Sequence, residues 1–333
     1  MTESGAVTER PLVLVTGAGG VMGERLVREL LKRGCRVRGL VLPGDPARAR
    51  LEALGVEVVE GDVSRASTLD GIAAGVDTVF HLAAIILSPD PSVFPRVNRD
   101  GTAHVVAAAR EASVSHFVYV SSASVTYPKR TPYAESKLEA EQIVRREGAF
   151  AWTIVRPTLV YDANGGQEFV LFRDYLERFP WVPFIGDGRA QKRPVWTDDL
   201  VSGLVALVQN PLSHGKTYNL SGGESISMRD LAELILRHRG QSRRFIHVPV
   251  PLCRAIAAVA GVVQRRPLLT ASAIAGIVHD ADLDPEEATR DLGYRPLGVR
   301  AGFQHCFPLP AKDAPATARG VSFARSNRQR NDA

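Results

Sequence analysis

Leu12-Val13-Leu14-Val15-Thr16-Gly17-Ala18-Gly19-Gly20-Val21-Met22-Gly23 decides how the rest of the chain is read. Its first five residues are apolar or β-branched, as a buried strand requires. Gly17, Gly20 and Gly23 follow at a G-x-x-G-x-x-G spacing. Glycine at those positions allows a sharp turn, close approach of backbone N–H groups to an anion, and tight packing of a helix on a strand. Gly23–Arg33 then reads as that helix, with Leu26, Val27, Leu30 and Leu31 on one face. Its positive end points at whatever the turn holds. A ligand-free strand–helix turn could carry the same glycines. Here the motif heads an alternating pattern, and a dinucleotide pyrophosphate is the reading it supports.

Outward from this motif, short β-prone runs alternate with helical ones. Arg36–Leu42, Val56–Glu60, Thr78–Leu82, His116–Ser121 and Trp152–Arg156 read as strands. Asn98–Ala112 and Tyr133–Arg146 read as helices. This alternation predicts an α/β fold, a doubly wound parallel (Rossmann) sheet with right-handed crossovers. After Pro157 the pattern is less regular, rich in Pro, Gly and aromatics, with helices expected at Thr197–Gln209, Ser227–Arg239 and Leu252–Val263. The expected organisation is a dinucleotide-binding core over 1–160, to which later segments return, and a smaller substrate-binding lobe over 161–310. Residues 311–333 lack periodicity and are expected to be a disordered tail.

Bulk properties narrow the setting. The chain has 333 residues, 45% hydrophobic and 23% charged, an ordinary globular balance. Cys35, Cys253 and Cys306 lie far apart, without disulfide or metal-ligand spacing, so a reducing, cytoplasmic location fits. The net charge of +5 includes four arginines of the tail (Arg319, Arg325, Arg328, Arg330), and elsewhere the basic residues are interleaved with acidic ones. A solvated surface is expected, not a nucleic-acid partner. No signal peptide is read in residues 1–10, and the apolar run Ala255–Val263 is too short to span a bilayer, so no stable membrane insertion is expected.

Tyr133-Ala134-Glu135-Ser136-Lys137 supplies the candidate chemistry. The i, i+4 spacing places Tyr133 and Lys137 on one helical face. A neighbouring ammonium is expected to lower the phenol pKa, so that Tyr133 exchanges a proton with a secondary alcohol as hydride moves to or from nicotinamide. Y-x-x-x-K alone is common. Ser121-Ser122, at the end of the preceding strand, adds a hydroxyl that could orient the reacting oxygen.

Together these residues resemble the extended short-chain dehydrogenase/reductase family, which contains sugar-nucleotide epimerases, dehydratases and 3β-hydroxysteroid dehydrogenases. The resemblance covers roughly residues 11–307. Its markers run in order: TGAGGVMG (16–23), Gly61-Asp62-Val63, His81-Leu82-Ala83-Ala84, the segment from Val97 to Thr102, VYVSSASV (118–125), YAESK (133–137) and RPTLVY (156–161). GDGRAQKRPVWTDDL (186–200), YNLSGG (218–223) and LGYRP (292–296) complete it. The resemblance implies Ser122, Tyr133 and Lys137 as catalytic residues. Gly17, Gly20, Val21, Met22 and Gly23 would hold NAD or NADP. So would Asp62 and Val63 at the adenine, Leu82, Ala83 and Ala84 along the groove, and Pro157 and Val160 near the nicotinamide. Tyr133 and Lys137 would contact the cofactor as well. Ser122, Ser124, Tyr133 and Arg193 are the candidate substrate contacts, and Asn98 is expected to tie strand to helix. A homodimer through the helices near 98–112 and 133–147 is also implied.

Three departures shape the functional expectation. Ser122 is followed by Ala123-Ser124 where dehydratases carry Asp-Glu, so 4,6-dehydration is disfavoured. The loop from Ala84 to Asn98 is short and apolar (Ile85, Ile86, Leu87, Val93, Phe94). The tip of the second strand, Leu40-Val41-Leu42-Pro43, lacks the charge that would choose between NAD and NADP, with NAD the slight favourite. A nucleotide-sugar epimerase is placed first, a reductase or dehydrogenase of a hydrophobic steroid-like or polyketide-derived substrate second, and a non-enzymatic dinucleotide-binding subunit last. His81, His104 and His116 show no metal-ligand spacing, and Asp198-Asp199 reads as a helix N-cap with an extra first-turn charge.

Overall fold

Strand β1 (Leu12–Thr16) is buried along its whole length. Its side chains divide between two cores by strand alternation. Val13 and Val15 pack with Leu26, Val27 and Leu30 of helix α1 (Val21–Lys32). Leu12 and Leu14 pack on the opposite face, with residues of two later helices. Burial of each such side chain contributes about 1.5–3 kcal/mol. The computed structural model describes residues 10–163, 165–263 and 270–307. The expected tail at 311–333 lies outside the described residues.

The chain continues through β2 (Arg36–Val41), α2 (Ala47–Glu52), β3 (Glu57–Glu60), β4 (Thr78–His81), α3 (Gly101–Glu111), β5 (His116–Val120), α4 (Pro132–Arg146) and β6 (Ala151–Pro157). A seventh strand, Lys216–Leu220, completes a fully parallel sheet in the order 216–220, β6, β5, β4, β1, β2, β3. From β1 the chain winds outward to β3, then crosses to β4 and winds the other way. The carboxyl ends of β1 and β4 therefore flank the switch point, where a doubly wound sheet leaves a crevice.

Past β6 the chain forms three two-stranded pieces: Val160–Tyr161 with Val195–Trp196, Gln191–Lys192 with Ile226–Ser227, and Trp181–Ile185 with Arg244–Val248. Helices α5 (Gln167–Arg178), α6 (Thr197–Val205), α7 (Met228–His238) and α8 (Val250–Val263) intervene. Phe169, Phe172, Val182, Phe184, Leu231 and Ile235 form a separate core there. Helix α6 returns to the main sheet, where Leu200 and Leu204 join the α1 side.

Several elements differ from expectation for identifiable reasons. The seventh strand, Lys216–Leu220, is not among the expected strands because its residues are mostly polar, and its strand character comes from pairing with β6. The helix expected over Asn98–Ala112 begins instead as a wide π-type turn, Pro95–Asp100, before α3. The turn carries buried Asn98, whose amide pairs with Ile85 on both its N–H and C=O. Asp198 and Asp199 do not cap α6. Trp196 occupies the N-cap and both acids lie in the first turn. There Asp198 meets Arg25, and Asp199 accepts the Leu297 N–H at 2.9 Å.

Candidate active site

The glycine turn is shaped by backbone contact. Gly17 has φ +71°, and a Cβ there would lie 3.0 Å from the Ala83 nitrogen. A Cβ on Gly23 would overlap the Gly17 carbonyl oxygen. Helix α1 starts at Val21 with Gly20 as N-cap and no side-chain cap, so its first-turn N–H groups face the crevice without an internal partner. Val21 is exposed and Met22 half-buried beside the α1-side core. This cradle fits a diphosphate, which small-residue backbone and free helix N–H groups hold best.

Leu82, Ala83 and Ala84 leave β4 beside Gly17. Thr16 Oγ1 accepts the Ala83 N–H at 3.2 Å and bonds His81 Nδ1 at 2.7 Å, while His81 Nε2 reaches Thr102 at 3.0 Å. Burial drives the His81 pKa down to about 3, helped by nearby Lys137, so the ring is neutral and structural. Asp62 is occupied by Ser64, through its N–H at 2.9 Å and its hydroxyl at 2.8 Å to one carboxylate oxygen, while the other oxygen lies 3.8 Å from Arg65 Nε. Val63 is buried against Gly101. Past β2, Asp45 reaches back over the motif: a Cβ on Gly19 would sit 2.9 Å from its Oδ2. Arg48 and Arg50, the cations just beyond β2, are taken by Glu52, Glu60 and Glu24.

Tyr133 is presented by a well-defined helix start. Thr131 caps α4 through Oγ1 to the Ala134 N–H at 3.2 Å, and Pro132 occupies the first turn. The phenol is half-buried with its ring edge-on to Phe94 at 6.0 Å. Ser121 and Ser122 divide the roles offered at the end of β5. Ser121 Oγ donates to buried Glu141 at 2.6 Å, whereas Ser122 caps the short turn Ala123–Thr126, lies 3.0 Å from Ser124 Oγ and is near enough to the Tyr133 phenol to pull its pKa downward. Glu141 also accepts from Arg156 Nε at 2.9 Å and Nη2 at 2.7 Å, which ties α4 to β6, the strand that ends at Pro157. Val160 follows, half-buried, in its short strand.

Lys137 is 2% exposed. Its Nζ donates to the Val120 carbonyl at 2.7 Å and lies 4.3 Å above the Tyr119 ring. Burial pulls its pKa down to about 7, against the pull of Glu141. The expected direction for Tyr133 is corrected by this arrangement. Burial pushes the phenol well above its ordinary value, Glu168 pushes it further, and only the Ser122 hydroxyl works downward. Lys137 is spent on Val120 and Tyr119, so Tyr133 is held as the neutral acid.

Arg193 and Ser124 are the expected substrate contacts outside the tyrosine–serine pair. Ser124 lies beside Ser122, but Arg193 is engaged by Asp282 and its N–H by the Ala281 carbonyl at 3.2 Å. The preceding residue is linked to the surroundings of Tyr133 instead, through Glu168. Lys192 is 2% exposed, donates to the His279 carbonyl and stands 5.9 Å above the Tyr127 ring. Burial lowers its pKa to about 8, with Asp280 and Glu168 opposing. Glu168, in the first turn of α5, is exposed, yet the low-dielectric walls around it raise its carboxyl pKa, and it acts on both Tyr133 and Tyr127. Asp45, Glu168 and Lys192 carry no motif that sequence reading uses. Only the neighbourhood of Lys192 to Arg193 hinted at one of them. No cluster of three metal-ligating side chains occurs among the described residues.

Comparison with known proteins follows this geometry. The family described as NAD dependent epimerase/dehydratase matches residues 13–221. A 4-hydroxy-2-methyl-3-oxo-4-farnesyl-3,4-dihydroquinoline-1-oxide ketoreductase of Stigmatella aurantiaca is 29% identical over 84% of this chain and 90% of its own. A 3 beta-hydroxysteroid dehydrogenase/Delta 5→4-isomerase of Mycobacterium tuberculosis is 29% identical over 92% of both chains. A dTDP-glucose 4,6-dehydratase of Streptomyces venezuelae, solved as a double mutant with NAD bound, superimposes with a TM-score of 0.68 at 25% identity, covering 89% of this chain and 95% of that one.

Proposed function

The chain belongs to the NAD dependent epimerase/dehydratase family, and from that premise we propose that it is a one-way reductase or dehydrogenase of an apolar ketone or secondary alcohol. The observation that carries this choice is the Phe94 ring set edge-on to Tyr133 at 6.0 Å, at the end of the apolar loop that begins at Ile85. Phe94 itself is 4% exposed and backs the Tyr133 ring. The apolar surface beside the proton donor is the rest of that loop, half-buried Ile85 and Ile86 and exposed Leu87, which favours an apolar ring system over a polyhydroxylated sugar. Arg193, taken up by Asp282, is not a free anion contact. The two similar enzymes named above, a ketoreductase and a hydroxysteroid dehydrogenase, support the same order.

In reduction, Ser122 Oγ holds the substrate carbonyl and Tyr133 donates its proton to the carbonyl oxygen. When bound, the dinucleotide supplies the hydride to the carbonyl carbon. Tyr133 regains its proton from water, so one carbonyl and one proton yield one alcohol at the expense of one reduced cofactor. The elevated Tyr133 pKa keeps the proton in place at neutral pH, which suits the reductive direction. Lys137 and the glycine turn are assigned to cofactor holding. Asp45 beside Gly19 supports NAD over NADP, since a carboxylate accepts ribose hydroxyls and repels a 2′-phosphate.

The nucleotide-sugar epimerase is the second reading. Lys192, a buried cation linked to Tyr133 through Glu168, is the observation in its favour. The remaining assignments are a substrate lobe formed mainly by 161–310, a homodimer through α3 and α4, and a cytoplasmic location. Consumption of NADH or NADPH with a panel of steroid and polycyclic ketones tests the first reading. Interconversion of UDP- or dTDP-sugars at constant NAD, with no ketone turnover, replaces it by the second.

A further inference from the structure

The strand pair Trp181–Ile185 and Arg244–Val248 has two unlike faces. Val182, Phe184 and Phe245 point into the lobe core. The opposite face is set by the register Trp181↔Arg244, Pro183↔Ile246 and Ile185↔Val248. One end of that face is covered, where Ile185 and Val248 pack with Cys253 of α8 and with Ile274. The other end is bare: Trp181 is 48% and Ile246 45% exposed. Helix α8, seated by Cys253 on the covered end of the same strand pair, adds two exposed apolar side chains one turn apart, Leu252 at 52% and Ile256 at 49%.

The charge at this surface is one-sided. Phe179 stacks on Trp181 at 6.5 Å, and the Arg178 guanidinium lies 6.0 Å above Phe179. Arginines nearby are neutralised, Arg173 by Asp174 and Arg239 by Glu177. Arg178 and Arg244 have no carboxylate within ion-pair distance among the described residues, and neither has Arg254, which leaves α8 on the flank opposite Leu252 and Ile256.

We propose that this face docks on an anionic lipid bilayer. Exposed Trp, Ile and Leu side chains enter the headgroup boundary while unpaired arginines reach lipid phosphates, a combination that an interfacial surface uses. A second copy fits less well, since a twofold pairing would bring the same arginines together without a carboxylate between them. No helix among the described residues is long and apolar enough to span a bilayer, so the contact is peripheral. The docking does not depend on which substrate class the enzyme takes.

The test is co-sedimentation of the full chain with vesicles of phosphatidylcholine alone and of phosphatidylcholine and phosphatidylglycerol in equal parts. Binding is expected to the mixed vesicles only, to weaken with salt, and to shift tryptophan emission to the blue. That shift disappears in Trp181→Phe. Replacing Arg178, Arg244 and Arg254 together by Gln should lower partitioning on the order of a hundredfold, and Leu252→Ser with Ile256→Ser at least about tenfold. NADH binding reports whether each variant is folded, and the exposed arginine variant keeps the test open should the α8 variant fail to fold. Absence of binding to mixed vesicles at low salt overturns the proposal. So does binding that survives the arginine replacements, or a loss of dimer in the α8 variant without any vesicle binding.

Discussion

Each half of the molecule buries one lysine, and the two are built alike. Lys137 and Lys192 are both 2% exposed, both donate to a main-chain carbonyl (Val120 and His279), and both lie over a tyrosine ring, at 4.3 and 5.9 Å. Their surroundings differ. Lys137 stands on a helix capped by Thr131 and anchored through Glu141 to β5 and β6, so its position is set by the main sheet. Lys192 stands on a two-residue strand whose neighbours come from α5 and from residues 279–282. The first lysine is fixed by the continuous sheet and the second by short elements of the later lobe; under the proposed function they serve cofactor and substrate respectively. Equal burial thus serves unequal purposes.

The sharpest way to break this comparison begins with the group that both halves address. Tyr133→Phe should lower turnover by about 10²- to 10⁴-fold while leaving NADH affinity within about twofold, as cofactor fluorescence titration would reveal. Retained turnover would remove Tyr133 from the chemistry.

The two lysines can then be exchanged for methionine in turn. Lys137→Met should cost about 10²-fold in kcat and weaken cofactor binding, whereas Lys192→Met should act mainly on KM. Both replacements should also flatten the pH dependence of stability. A lysine whose folded pKa lies below its unfolded value opposes folding fully below the folded pKa, and this opposition fades as pH rises toward 10.5. Parent stability should therefore gain up to about 1.4 kcal/mol per pH unit from each lysine: above about pH 7 for Lys137 and above about pH 8 for Lys192. Chemical denaturation between pH 7 and 10 measures the slope. Equal slopes for parent and Lys192→Met would show that the second lysine is not desolvated.

A smaller effect is expected from Asp45→Ala, which should shift the NADH-to-NADPH ratio of kcat/KM toward NADPH by about tenfold, the worth of one charge-assisted hydrogen bond. Unchanged preference would separate Asp45 from the ribose. The smallest belongs to Arg193→Ala. Its partially exposed pair with Asp282 is worth less than about 1 kcal/mol, so kcat/KM should change less than about threefold. A loss of a hundredfold or more would restore Arg193 as a substrate contact and strengthen the epimerase reading.

What could be read directly from the chain was whatever depends on neighbours close in sequence. The strand–glycine–helix passage at 12–33 shows itself because β-propensity, positive φ at Gly17 and a one-sided apolar helix are local demands. Tyr133 and Lys137 share a helical face for the same reason. The wide turn at Pro95–Asp100 escaped notice because it is stabilised by Ile85 and Ser136, residues thirteen and thirty-eight positions away from Asn98. The misplaced cap at Asp198-Asp199 arose likewise, since the partners of those acids are Arg25 and Leu297.

By itself, then, the sequence determined the alternating α/β architecture, the glycine turn and the shared helical face of Tyr133 and Lys137. These follow from short-range sterics and periodicity, while Ser122, as distinct from Ser121, was legible only through the family resemblance. The tertiary structure decided which charges are free and which are spent. It turned Lys137 toward Val120 instead of Tyr133, gave Arg193 to Asp282, brought Asp45 to the glycine turn, and linked Lys192 through Glu168 to the surroundings of Tyr133. Those outcomes depend on desolvation and on partners distant in the chain, because the electrostatic character of a side chain is set by what surrounds it after folding.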